Sequence, residues 1–401
     1  MGPQAKREYV EVIRGRYRRA SRRQKGRILD EFCAVCSYHR KHAIALLGRR
    51  RRRERRRPGP AVRYGPAVAA VVRAIWLAAE QICSKRLKAA LPLWLGHYKA
   101  ERGALTEETR RGVLAISPAS IDRLLRPVRA RWGRRGRGGT QPGTLLRNQI
   151  PVRTEHWNVD RPGWIEADTV AHGGTSLAGQ FVWSLTFTDI WSGWTELRAV
   201  WNKGAAGVVQ AVRSIEKRLA FPVLGFDCDN GSEFLNHHLW RYFARRRQPV
   251  TFTRSRPYHR NDNAHVEQKQ WTHVRQLLGY DRLDSPQLLR LINNLYANEW
   301  ALLHNVFLPT LKLKSKLRVR SRYRKTYEPP QTPLQRLLRC PHVSPEAKLR
   351  LLNQTRRLNP FALKKTIERK LRRIFTVQRK AKRLVNEPPP DCHPEGAARD
   401  S

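Results

Sequence analysis

Asp168, Asp229 and Glu267 are three carboxylates in three distinct settings. Asp168 lies within Trp164-Ile165-Glu166-Ala167-Asp168-Thr169-Val170. Asp229 lies within Gly225-Phe226-Asp227-Cys228-Asp229-Asn230-Gly231-Ser232-Glu233-Phe234, and Glu267 within Asn261-Asp262-Asn263-Ala264-His265-Val266-Glu267-Gln268. Asp229 follows Asp168 by 61 positions, and Glu267 follows Asp229 by 38. Carboxylates brought close together repel unless cations neutralise them, so a converging set of three implies metal. Oxygen ligands select hard ions, magnesium first and manganese as a substitute. Two such ions activate an attacking oxygen and stabilise a leaving one, the chemistry of phosphodiester cleavage and transfer. Each acid also has an ordinary reading: Asp168 caps a turn, Asp229 folds back on its Asn-Gly turn, Glu267 is a surface charge. Asp227 competes with Asp229, because alternate strand residues share a face, and Asp262 competes with Glu267.

Positioning such a set takes strand ends and a helix. Trp164–Val170 reads as a strand, Gln180–Thr188 alternates with period two, and Trp194–Val200 is a third strand after an Asp189–Gly193 turn. Gly204–Leu219 is an amphipathic helix, Pro222–Phe226 a short buried strand, Glu233–Arg245 a helix and Val250–Thr253 a strand. Helices over Asn261–Leu278 and Ser285–Leu303 follow. Three consecutive strands and then alternating helices and strands describe an α/β domain with a mixed sheet, assigned to 156–305. Asp168 and Asp229 then stand where open α/β sheets commonly bind ligands.

The flanks are helical and basic. Residues 1–57 predict a helix-turn-helix module: a helix over Arg7–Arg18, a second capped by Ser21, and a third, Tyr38–Leu47, capped by Ser37 and carrying Arg40 and Lys41 toward DNA. Cys33, Cys36, His39 and His42 are zinc-ligand types. Their uniform three-residue step spreads them along a straight helix, which favours packing over zinc. Residues 64–131 predict a second helical module, a possible helix-turn-helix, with Ser117 capping a helix that presents Arg123 and Arg126 outward. A Gly/Arg-rich linker spans 132–155. Residues 306–385 predict a basic, mostly helical DNA-binding region, with helices over Leu334–Leu338, Pro345–Leu352 and Pro360–Ile374, and 386–401 a disordered tail.

Charge sets the partner. Among 401 residues, 80 Lys and Arg face 32 Asp and Glu, for a formal +48. That excess points to a polyanion, with nucleic acid first. No apolar run approaches the ~18 residues of a membrane span, and the N-terminus lacks a signal peptide's apolar segment. Six scattered cysteines give no disulfide framework. The expectation is a soluble protein of the cytoplasm, associated with the nucleoid.

The order of strand Asp, Asp229-Asn230-Gly231-Ser232-Glu233-Phe234 and Asn261-Asp262-Asn263-Ala264-His265-Val266-Glu267 resembles the catalytic core of the retroviral-integrase superfamily. It looks most like the bacterial insertion-sequence transposases that carry this core. His172-Gly173-Gly174 and Gln270-Trp271 strengthen the resemblance, which covers about residues 160–280. It implies a ribonuclease-H-like fold and selects Asp168, Asp229 and Glu267 over Asp227 and Asp262. It further implies two Mg²⁺ ions (Mn²⁺ as substitute) and cleavage and strand transfer on double-stranded DNA, at element ends and target, by a homo-oligomer on DNA. Lys269 and His273, four apart on one helix face, and Tyr258 and Arg260 before that helix are candidate DNA contacts. The competing expectations are a DNA-binding regulator or domesticated remnant without catalysis, and a nuclease without strand transfer.

Overall fold

The computed structural model describes residues 2–48, 63–130, 159–202, 204–228, 234, 237–254, 269–319 and 322–386. They fall into two compact units, Met1–Arg63 and Tyr64–Ser401. In the first, α1 (Pro3–Arg19), α2 (Arg22–Cys36) and α3 (Arg40–Gly48) close over Val10, Ile13, Ile28, Leu29, Phe32, Ala43 and Leu47. Ser21 starts α2 through a capping box: its hydroxyl accepts from the Gln24 N–H, and the Gln24 side-chain Oε1 accepts from the Ser21 N–H. Ser37 does not cap the third helix. It ends α2 in the left-handed region, at φ 55°, donating its N–H to Cys33 O at 2.9 Å. Cys36 is buried in this core and the His42 ring stands edge-on to Tyr38, 5.0 Å away. Among the described residues no group of three His, Cys, Asp or Glu is placed to hold a metal ion.

The second unit is built on a five-stranded mixed sheet in the order β3-β2-β1-β4-β5. Its strands are β1 (Trp164–Ala171), β2 (Val182–Asp189), β3 (Thr195–Trp201), β4 (Gly225–Cys228) and β5 (Thr251–Arg254). β1, β2 and β3 form an antiparallel meander; β4 and β5 run parallel to β1. The crossover from β3 to β4 is α8 (Ala205–Glu216), whose Val208, Val212 and Ile215 are buried. α9 (His237–Ala244) links β4 to β5. Asp189 fixes the β2–β3 turn: its carboxylate accepts from the Gly163 N–H and from both Ser192 donors. Burial still pushes its carboxyl up to about 6.

α4 (Pro66–Ala78), α5 (Ser84–Arg102), α6 (Glu107–Ala115) and α7 (Pro118–Arg129) precede the sheet. Ser117 caps α7 as expected, accepting from the Ser120 N–H at 3.2 Å. These helices do not stand apart as a module. Trp94 on α5 is fully buried, donates to Phe307 O at 3.0 Å and meets Phe361 edge-on at 5.0 Å. One hydrophobic core runs from Val68 through the sheet to Ile374.

After the sheet come α10, a π turn Gln270–Arg275 continued by Gln276–Leu278, and α11 (287–307). α11 opens as Gln287–Leu295 and holds two π segments, Tyr296–Trp300 and Leu303–Phe307. The following segment departs from the helical expectation. β6 (Leu313–Val319) and β7 (Arg322–Tyr327) form a two-stranded antiparallel ribbon. Then α12 (Pro333–Arg339), α13 (Pro345–Thr355) and α14 (Pro360–Asn386) appear where helices were expected. They bury Leu337, Leu351, Phe361 and Ile367 in the same core, so they are not a separate domain. None of the described helices is long and apolar enough to cross a membrane.

Candidate active site

Asp168 lies on β1 beside Thr186 of β2, and its side chain is buried. Two described amide groups orient it. One carboxylate oxygen accepts from the Thr169 N–H at 2.6 Å, and the other accepts from the Gln270 amide at the start of α10. On the other side of β1 runs β4, with Ala167 opposite Cys228. Those two residues immediately precede Asp168 and Asp229 in sequence. Asp229, Glu267, Tyr258 and Arg260 lie outside the described residues.

Two further acids share the Asp168 face, and the sequence reading overlooked one of them. Glu166 is two residues before Asp168 on β1 and sits opposite Asp227 of β4; both are buried. Asp227 accepts from the Thr253 hydroxyl of β5 at 2.6 Å. The signal for Glu166 was present: acids at positions 166 and 168 of one strand must face the same way.

The loop after β1 is locked from behind. His172 is fully buried, and its Nε2 shares a hydrogen bond with the Ser184 hydroxyl at 2.8 Å; Ser184 in turn meets the Tyr296 hydroxyl at 2.7 Å. Burial, reinforced by Arg275, lowers the His172 imidazole to about 3, so the ring is neutral. Gly173 and Gly174 are glycines for steric reasons. A Cβ on Gly173 would meet Ser176 O at 2.8 Å, and Gly174 takes φ +65° against Arg282. Arg282 ties this loop down by donating to Gly173 O, Ser176 O and Ala178 O.

The expected DNA face of α10 turns inward. His273 is buried, its ring 3.9 Å from that of His304 on α11, and Trp300 donates to His273 O at 2.8 Å. Burial, followed by neighbouring positive groups, holds both imidazoles well below their ordinary value. Lys269 is partly buried. That burial, with Arg86 and Arg336 close by, brings its ammonium down to about 7. The His273 phosphate contact is therefore corrected: its ring packs against His304 of α11 instead of facing solvent. Trp271 is the exposed neighbour, at 43%. Of the remaining candidates, Arg123 and Arg126 are exposed on α7. In the first unit Lys41 is exposed, and Arg40 is exposed and paired with Asp30.

The chain is 42% identical over 336 residues to a protein of Sinorhizobium fredii (strain NBRC 101917 / NGR234) described as uncharacterized protein y4rM. The match covers 82% of this chain and 94% of the relative, and the chain belongs to that protein's family. No family model matches. Among solved structures, the catalytic core domain of BIV integrase is similar at 18% identity, over 29% of this chain and 68% of that chain, with a TM-score of 0.23. A likeness that slight carries no argument about chemistry.

Proposed function

We propose that the chain is a transposase of the Asp-Asp-Glu type, which cuts and joins double-stranded DNA on a ribonuclease-H-like sheet. One observation carries this reading: described elements on both sides of Asp168 lead to the other two acids. β4 pairs with β1 up to Cys228, the residue before Asp229, and Gln270, three residues after Glu267, is bonded to Asp168. The strand order β3-β2-β1-β4-β5, antiparallel then parallel, supports the fold assignment.

In this reading Asp168, Asp229 and Glu267 hold magnesium, or manganese in its place. The donor set fits, because Asp168 offers a pre-oriented carboxylate of the oxygen type such ions take. Bound there, the ions supply Lewis acidity and lower the pKa of water at neutral pH. The chain's own residues do the positioning. Thr169 and Gln270 fix the Asp168 carboxylate, and the buried His172–Ser184–Tyr296 network braces the strand that bears it. Water attacks the phosphorus at an element end, and the 3′ oxygen departs with a proton. That freed 3′-hydroxyl then attacks a phosphodiester of target DNA, displacing its 3′ oxygen, with no covalent protein–DNA bond. Copies of the chain joined on DNA bring two ends together.

The test uses purified full chain and duplexes drawn from the DNA flanking its gene. Asp168→Asn, Asp229→Asn and Glu267→Gln each abolish Mg²⁺-dependent cleavage and joining while duplex binding persists. Near-normal joining by any one variant removes that residue from the set. Binding by the wild type without cleavage in Mg²⁺ or Mn²⁺ overturns the catalytic reading in favour of a DNA-binding regulator. Cleaved ends without joined strands leave a nuclease.

A further inference from the structure

The β6–β7 ribbon has no role in the site above, and its exposure needs a reason. Among the described residues its strands pair only with each other, through Lys316↔Lys325, Leu317↔Arg324 and Arg318↔Tyr323. Two-stranded ribbons are marginal alone in water. This one stands on a fixed root. Glu328 donates its N–H to Lys312 O at 2.9 Å, and Thr310 donates to Gln331 O at 2.8 Å. Arg336 grips Thr310 O and Ser192 O, and the Lys312 ammonium lies 5.1 Å from the Trp191 ring. The root is therefore tied to the β2–β3 turn of the main sheet, and beyond it Lys314, Leu317, Arg318, Arg324, Lys325 and Tyr327 are exposed.

The blade's chemistry is one-sided. Lys312, Lys314, Lys316, Arg318, Arg320, Arg322, Arg324 and Lys325 fall between Leu311 and Tyr327 with no acid among them. Guarding a sheet edge against aggregation takes only a charge or two. Cations at this density repel one another along roughly 20 Å of strand, at ~3.3 Å per residue, unless a polyanion lies alongside. Leu317 and Tyr327 are exposed among them, at 60% and 45%. Solvated apolar groups between cations suit a surface that offers phosphates at its walls and apolar edges at its floor. The major groove is such a surface, and at about 12 Å wide it admits a two-stranded ribbon.

We infer that the β6–β7 ribbon is a DNA-reading arm that enters the major groove of duplex DNA, with Leu317 and Tyr327 against base edges, and with Arg324, which shares the Leu317 face, and Lys314, Arg318 and Lys325, which alternate to the opposite face, reaching past the strand edges to phosphates at the groove walls. The inference rests on the reading that DNA is the partner, and it locates part of the recognition away from the carboxylates.

The experiment measures duplex binding by the full chain across a salt series. In one variant Lys314, Arg318, Arg324 and Lys325 are all changed to Ala. Each lost phosphate contact lowers the slope of log affinity against log salt by ~0.9, so the slope falls by about 3 to 4. A second variant, Leu317→Ser with Tyr327→Ser, keeps the slope and narrows the affinity gap between flanking and unrelated duplexes. These side chains are exposed, so thermal unfolding is unchanged in both variants. An unchanged slope in the fourfold variant overturns the inference. So does retention of DNA binding alongside lost binding to anionic phosphatidylserine vesicles. The two readings fail separately. A wild type that cuts DNA with an indifferent ribbon keeps the carboxylate assignment, whereas ribbon-dependent binding without Mg²⁺-dependent cleavage keeps the arm.

Discussion

Asn305→Leu should unfold the main unit far more readily than its conservative volume suggests. β3 is the edge strand, so one row of its N–H and C=O groups has no strand partner. Two asparagines of α11 stand in for one. Asn305 accepts from the Thr195 N–H at 2.9 Å and donates to Thr195 O at 2.9 Å. Asn293 does the same at Ala199, at 2.8 and 2.9 Å. Asn305 is 1% exposed, so water cannot replace it. The leucine removes two hydrogen bonds worth about 1 kcal/mol each. With the buried N–H and C=O left unsatisfied, each group costs ~1–3 kcal/mol in place of its lost bond, for a combined loss of roughly 2–6 kcal/mol. Set against a typical stability of about 5–15 kcal/mol, that is a large fraction. Asn293→Leu, where the site is only partly buried, should cost about half as much. The assay is urea unfolding followed by tryptophan fluorescence, comparing midpoints at constant slope. The two losses should add, since the sites lie far enough apart to act independently. If Asn305→Leu lies within ~0.5 kcal/mol of wild type, the amide clamp is not what secures this edge.

Two more outcomes follow from the same structure. Gly225→Ala should destabilise by about 1–3 kcal/mol by overpacking, because its Cβ would sit 2.3 Å from the Trp164 ring; Trp164→Leu in the same chain should restore most of the urea midpoint. His172, His273 and His304 are held below their ordinary pKa, so the unfolded chain takes up protons first as pH falls below ~6.5. The urea midpoint should therefore drop from pH 6.5 toward 4. Asp189, raised to about 6, acts in the opposite sense, losing stability as pH rises from ~3.8 through 6. His304→Phe should flatten the acid drop, and an unaltered pH profile in that variant would remove His304 from the account.

Local pattern made much of this fold legible. Strand patterning located β1 to β5 to within a few residues, and Ser21 and Ser117 stand at helix starts where capping chemistry places them. What escaped was set by contacts between distant segments. The 64–131 region looked like a free module because its stripe of Val71, Ile75 and Trp76 is visible, whereas the partners of Trp94, Phe307 and Phe361, are over 200 positions away. His273 looked like a surface cation for the same reason: its stacking partner, His304, belongs to another helix. The ribbon was missed differently. Leu313, Ser315, Leu317 and Val319 alternate with Lys314, Lys316, Arg318 and Arg320, a plain period-two signal that the dense charge obscures. That Asp168 lies on a strand was legible from its setting, but the Gln270 amide that orients it was not, since only the folded chain brings α10 to β1.

The sheet topology gives a reason, independent of any resemblance, for looking at Asp168. In an open α/β sheet a ligand crevice forms at the carboxyl ends of strands where the chain reverses its direction of growth across the sheet. Here growth runs from β1 outward through β2 to β3, and α8 then carries the chain back to the other side of β1. The reversal lies between β1 and β4. β1 continues through Asp168 to Ala171, and its described pairing with β4 runs as far as Ala167 opposite Cys228. Asp229 follows Cys228 directly in the sequence. Glu166 and Asp227 lie one step deeper on the same face, buried and side by side, where the strands still pair. Glu166 and Asp227 therefore lie within the described β1–β4 ladder, and Asp168 lies one step beyond it on the same face.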